Sequence, residues 1–123
     1  MGEMMSQFEK MEQEIITTVL KKEYPELSDL WKDRYFVKER EWTGVGFFSH
    51  FSNCEKKANE SETLFPPSEN RTISIPIGAT LNKKISVGFV LFFENGNLDC
   101  LEGYTYGDES WPENIESYEI FSE

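Results

Sequence analysis

Few residues in this chain have the type and spacing to do chemistry. There is one histidine, His50. It cannot build a multi-histidine metal site, and Cys54 nearby does not complete a zinc pattern. Ser49 precedes it directly. Adjacent strand residues point to opposite faces, so the two cannot act as nucleophile and base. The two cysteines, Cys54 and Cys100, form no CxxC pair and read as free thiols of a reducing compartment. Asp108-Glu109 and Glu113 with Glu116 are close carboxylates, yet they lack the spacing of a calcium loop. No glycine-rich phosphate loop or nucleophile elbow occurs. Met1–Ser6 fits a myristoylation pattern without a polybasic second signal. The sequons at Asn59 and Asn70 are not expected to meet a secretory route, since the N-terminal residues do not read as a signal peptide. These three read as chance matches. No catalytic residue, cofactor-binding residue or metal ligand is therefore assigned.

The charge is more informative. The chain has 123 residues, with 23 acids against 12 bases, for a net charge of −11. Phosphates would be repelled, so neither nucleic acid nor an anionic membrane is an expected partner. No apolar run reaches the roughly 20 residues of a helical span. From Glu94 onward there are nine acids and no base, so the last 30 residues carry −9 of the −11. Tyr104, Tyr106, Trp111, Tyr118 and Phe121 are interleaved with these acids. Rings set among carboxylates suit a basic protein partner, because the field steers encounter and the rings supply anchor area. Glu102, Tyr104, Tyr106, Asp108, Glu109 and Trp111 are the expected partner-binding residues.

The elements that must position them are those of one α+β domain spanning 1–123. Residues 6–22 predict a helix, with Ser6 and Glu9 as a capping box. Its apolar stripe runs through Phe8, Met11, Ile15, Ile16, Val19 and Leu20, with Glu12 in the same row. A further helical turn is expected over Glu26–Lys32, facing Leu27, Leu30 and Trp31 inward. Tyr35–Val37 is a short strand candidate. Trp42–Phe51 reads as one strand, with Val45, Phe47 and Phe51 on one face and Gly44, Gly46, Phe48 and His50 on the other. Residues 54–71 form a surface loop. Ile73, Ile75 and Ile77 alternate in a strand that Pro76 assigns to a sheet edge, a place where a homodimer could pair. The chain is expected as a monomer or homodimer. Overall the N-terminal helix packs on a mainly antiparallel sheet of four to six strands with a C-terminal hairpin.

That hairpin turns at Asn95-Gly96, the strongest two-residue hairpin signal. Regular pairing from the turn sets Phe93 opposite Leu98, Leu91 opposite Cys100, Phe89 opposite Glu102 and Val87 opposite Tyr104. Glu102 then falls on the apolar side beside Phe89, where it must find a cation such as Arg40 or shift its pKa upward. Gly88 and Gly103 become neighbours on the other face. This bare strip, extended by Gly44 and Gly46, would let a flat ligand or a backbone approach.

Two stretches carry a resemblance. Arg40-Glu41-Trp42-Thr43-Gly44-Val45-Gly46-Phe47-Phe48 is the first. The second runs from Gly88-Phe89-Val90-Leu91-Phe92-Phe93-Glu94-Asn95-Gly96 through Leu98-Asp99-Cys100-Leu101-Glu102-Gly103-Tyr104-Thr105-Tyr106-Gly107 to Trp111-Pro112. Together they resemble a family of small, uncharacterised bacterial single-domain proteins sharing RxxTGVGFF and GFVLFxxNG…LEGYTYG…WP segments. The resemblance implies a bacterial, cytoplasmic α+β protein and no established activity. In its general style the chain is similar to immunity proteins of polymorphic toxin systems, which are small, acidic and aromatic-rich. The leading expectation is an acidic protein-binding module, an immunity-like inhibitor of a basic toxin or nuclease. The alternative is a small-ligand-binding protein or enzyme with its site at Glu102 and the Gly88/Gly103 strip.

Overall fold

The structure, a computed structural model, describes residues 6–23, 25, 28, 31–53, 71–107 and 109–122. Ser6 caps the first helix, α1 (Gln7–Glu23), and the capping box is reciprocal. The Glu9 amide donates to Ser6 Oγ, and the Ser6 amide donates to Glu9 Oε1, each at 3.1 Å. Lys21 and Lys22 occupy the last turn, where cations complement the helix dipole. Met11, Ile15, Ile16, Val19 and Leu20 are buried, as their helical spacing requires.

A four-residue helix, α2 (Trp31–Arg34), buries Trp31 and leads into the sheet. The expected inward positions Leu27 and Leu30 lie outside the described residues. Six strands follow: β1 (Tyr35–Trp42), β2 (Gly46–Asn53), β3 (Arg71–Leu81), β4 (Ile85–Glu94), β5 (Asn97–Thr105) and β6 (Tyr118–Ser122). They form one sheet in the order β1-β2-β5-β4-β3-β6, with antiparallel pairing throughout. The helix-and-sheet class is as the sequence predicts.

Four details differ from the sequence reading. Trp42–Phe51 is not one strand: the chain turns at Thr43-Gly44-Val45, with Gly44 at φ 95°, so Trp42 ends β1 and Phe47 lies opposite it. The faces of Phe47, Phe51, Phe48 and His50 fall as expected. Second, a sixth strand follows the hairpin. Third, β3 is not an edge along its whole length. β6 pairs with it over Ile77–Leu81, and Pro76 lies in the irregular stretch between Ser74 and Gly78, where its missing N–H costs no ladder bond. The expected surface loop at 54–71 lies, up to residue 70, outside the described residues.

The fourth difference is the hairpin register. Asn95 and Gly96 take φ 53° and 79°, the left-handed pair of a tight hairpin turn. Glu94 opposes Asn97 and Phe93 opposes Leu98, as counted from the turn. Asp99 is then a bulge. Beyond it Phe92 opposes Cys100, Val90 opposes Glu102, Phe89 opposes Gly103 and Gly88 opposes Tyr104. The bulge puts both Leu98 and Leu101 into the core. Burying a leucine side chain is worth about 1.5–3 kcal/mol, and the same shift turns Glu102 out of the apolar side.

The core lies between α1 and one sheet face. Phe47, Phe89, Leu91, Leu101, Val87 and Leu81 fill it from the strands. Ser49 and Arg40 share that face, and they meet Glu12 of α1. Arg40 Nη2 donates to Glu12 Oε1 at 2.6 Å, the Ser49 hydroxyl donates to Glu12 Oε2 at 2.5 Å, and Arg40 Nε donates to Ser49 Oγ at 3.2 Å. Glu12 is 3% exposed, so its carboxylate is matched on both oxygens where an isolated charge could not stay.

Candidate functional site

No described helix lies over the other sheet face. At its register positions stand Glu39 and Glu41 of β1, Phe48 and His50 of β2, Cys100, Glu102 and Tyr104 of β5, Val90 and Phe92 of β4, and Phe121 and Glu119 of β6. None of the register positions on this face holds a lysine or arginine. Lys38, the nearest base in β1, is the bulged residue between Val37 and Glu39. The face is assembled from β1, β2, β4, β5 and β6, not from the C-terminal segment alone.

Glu102 sits near the middle, between Phe48 of β2 and Val90 of β4. Partial burial raises its carboxyl pKa above the ordinary value of 4.5. Cys100 is its neighbour on the same face. Burial pushes the Cys100 thiol up to about 12, and the negative charges of Asp99, Glu102 and Glu41 add to that rise. A thiol held protonated in this way is a poor nucleophile. His50 Nε2 lies 2.9 Å from Glu41 Oε1, and its ring stacks near Phe48 with centroids 6.4 Å apart. The His50–Glu41 contact is exposed.

Two glycines make room for rings on this face. A Cβ on Gly88 would come within 2.8 Å of the Tyr104 hydroxyl and 2.9 Å of the Tyr106 hydroxyl. A Cβ on Gly78, the neighbour of Gly88 on β3, would meet the Phe121 ring at 2.9 Å. Tyr104 and Tyr106 pack edge to face at 5.9 Å, and Tyr106 remains 43% exposed. The bare strip is therefore Gly78–Gly88, and aromatic rings lie across it. Gly103, expected on the same strip, is on the core side, where a Cβ would stand 2.3 Å from the Phe47 ring.

The six expected partner-binding residues do not form one patch. Glu102, Tyr104 and Tyr106 come together on the open face. Glu109 is exposed beyond the end of β5, where its carbonyl accepts the Thr105 hydroxyl proton at 2.7 Å. Asp108 lies outside the described residues. Trp111 is on the helix side. Its amide donates to the Gly44 carbonyl at 2.9 Å and its ring meets Phe47 at 5.2 Å. Arg40, the expected partner of Glu102, serves Glu12 instead. Phe48, Phe92, His50 and Glu41 were not singled out from the sequence as partner-contacting. The period-2 alternation of β2 puts Phe48 and His50 on one face, but only the β2–β5 pairing brings them beside Glu102.

Among the described residues no group of three His, Cys, Asp or Glu is arranged to hold a metal ion, and no helix is long and apolar enough to cross a membrane. Searches of protein-family models, of curated proteins and of solved structures give no match to this chain.

Proposed function

We propose that this protein is an acidic protein-binding module whose open sheet face takes a basic partner. One observation carries the reading: Glu102, its carboxyl pKa raised, stands among Tyr104, Tyr106, Phe48 and Phe92 on a face with further acids and no lysine or arginine at a register position. Such a surface attracts cations at long range and offers rings as anchors once contact is made. A partner arginine reaching Glu102 would find a carboxylate already partly stripped of water and flanked by aromatic faces, the setting in which charge-assisted and cation–π contacts are strongest. An immunity-like inhibitor that covers the basic site of a toxin or nuclease is the most concrete form of this reading. It rests on the likeness in general style to immunity proteins, small, acidic and aromatic-rich, and on this charge pattern.

The test is capture from a cell extract on the immobilised full chain at low and high salt, repeated with Glu102→Gln and Tyr106→Ala. Basic proteins should be retained by the wild type, released by salt and retained less by both variants. Retention of acidic proteins alone, or retention that neither salt nor the two substitutions alter, overturns the proposal.

A further inference from the structure

A cavity lies elsewhere, on the helix side of the sheet. It encloses about 500 Å³ between the start of α1, the β1–β2 turn and the segment after β5. That volume suits a small organic ligand. Its walls include Phe8, Trp42, Trp111 and Ile115, with the backbones of Gly44 and Gly46 at the turn. Two anchors hold the walls in place. The Trp111 amide is tied to the Gly44 carbonyl. The segment bearing Asn114 and Ile115 is clamped by Asn82, whose side-chain Nδ2 donates to the Asn114 carbonyl at 3.0 Å and whose Oδ1 accepts from the Glu116 amide at 2.7 Å.

The rings form one cluster. Phe8 packs on Phe47 at 4.9 Å and on Trp42 at 5.4 Å, while Trp111 meets Phe47 at 5.2 Å. Trp42 stays 57% exposed although it borders the cavity. An indole kept this accessible is costly in water and available to a ligand. The cluster already accepts one cation, since the Arg40 guanidinium sits 4.9 Å from the Phe8 ring centroid. Among the described cavity-lining residues, Glu113 carries the one formal charge, and it is negative. The start of α1 adds partial positive charge, but the Glu9 carboxylate caps it by accepting the Ser6 amide. Aromatic walls, with a single carboxylate and no lysine or arginine among the described lining residues, match a cation that is weakly hydrated and apolar at its surface.

We propose that this cavity binds a quaternary or methylated ammonium group. The site is independent of the open face, so its failure leaves the protein-binding reading untouched.

The experiment compares choline with 3,3-dimethyl-1-butanol, which has the same shape without the charge. Each is titrated into the full chain while amide and indole NMR signals are followed. Choline should shift the Trp42 and Trp111 indole signals and bind about tenfold more tightly than the alcohol. Trp42→Ala, a change at a side chain 57% exposed, should weaken choline about tenfold. Glu113→Gln should weaken choline while leaving the alcohol unchanged. Equal binding of the two ligands, no shift with choline, or choline binding indifferent to Trp42→Ala overturns the proposal.

Discussion

The two faces of the sheet handle acid in opposite ways. On the helix side Glu12 is fully buried, and Arg40 and Ser49 satisfy both of its oxygens. On the open side Glu41 and Glu102 stand at register positions, and together with Asp99 of the bulge their charges raise the Cys100 thiol pKa. His50 is within reach of Glu41, and no lysine or arginine occupies a register position. The difference lies in how each charge is compensated. A matched charge holds the helix on the sheet. The carboxylates of the open side cluster with no lysine or arginine at a register position, at some cost in mutual repulsion. The rings divide in the same way. Phe47 is sealed, whereas Tyr104, Tyr106 and Phe121 lie across bare glycines in reach of solvent.

The largest effect expected from breaking this contrast comes from adjacent residues of β2. Phe47→Ala removes a fully buried ring that touches Phe8, Trp42 and Trp111, and should cost about 4 kcal/mol. Phe48→Ala, one residue on and facing out, should cost about 1 kcal/mol and weaken partner capture instead. Urea unfolding of both variants checks this. Similar losses would mean that the open face is as much core as the covered one.

Next comes the buried charge. Glu12→Ala leaves the Arg40 guanidinium and the Ser49 hydroxyl without their shared partner and should cost about 3 kcal/mol. The double change Glu12→Leu with Arg40→Leu should recover at least about 1 kcal/mol relative to the sum of the single changes, because no unpaired ion remains. A strictly additive cycle would show that the pair is only incidental to docking α1.

These contrasts also show what could be read from the residues alone. Local rules served well: Ser6 with Glu9 marks the helix start, Asn95-Gly96 marks the turn, and alternation separates Phe47 from Phe48. Three things needed tertiary information. The Asp99 bulge defeats any register counted outward from a turn, since one extra residue exchanges the faces of everything beyond it. The spacing of Leu98 and Leu101 was the available signal, because two leucines three apart cannot both face a core in an unbroken strand. The Glu12–Arg40 contact joins residues 28 apart, and only Glu12's place in an apolar row hinted at it. β6 was hidden because its alternation of Tyr118 and Ile120 with Glu119 and Phe121 looked like acidic surface. Within the candidate site Glu102, Tyr104 and Tyr106 were legible from the composition of the tail. Phe48 and Phe92 were not, because strand order sets which neighbours stand beside Glu102.

A smaller effect separates the glycines. Gly103→Ala places a methyl against the edge of the buried Phe47 ring, which has no room to move, and should cost about 2 kcal/mol. Gly88→Ala meets the hydroxyl ends of Tyr104 and Tyr106, which can swing into solvent, and should cost about 0.5 kcal/mol. It should nevertheless displace both tyrosines and reduce capture of a basic partner. Thermal unfolding and the capture assay, run side by side, read the two outcomes. If Gly88→Ala destabilises as much as Gly103→Ala, the two tyrosines are packed rather than presented.

The smallest effect concerns Glu102, and it isolates recognition from folding. Burial raises its carboxyl pKa above the ordinary 4.5 in the folded chain. The folded state therefore holds this proton to a higher pH than the unfolded chain does. Below 4.5 both states are protonated and this carboxyl's contribution to stability is fully present. As pH rises through the window above 4.5, the unfolded state loses the proton first and stability falls. Glu102→Gln has no proton to lose. Its unfolding midpoint should fall less than that of the wild type between about pH 4 and about pH 7, leaving it at least as stable at neutrality. The same variant should bind a basic partner less tightly, with a smaller dependence on salt, because one steering charge is gone. A carboxylate that weakens the fold slightly while strengthening an interaction is what a binding face requires. If the midpoints of wild type and variant run parallel with pH, Glu102 is solvated as freely in the folded chain as in the unfolded one, and its place at the centre of the site loses its basis.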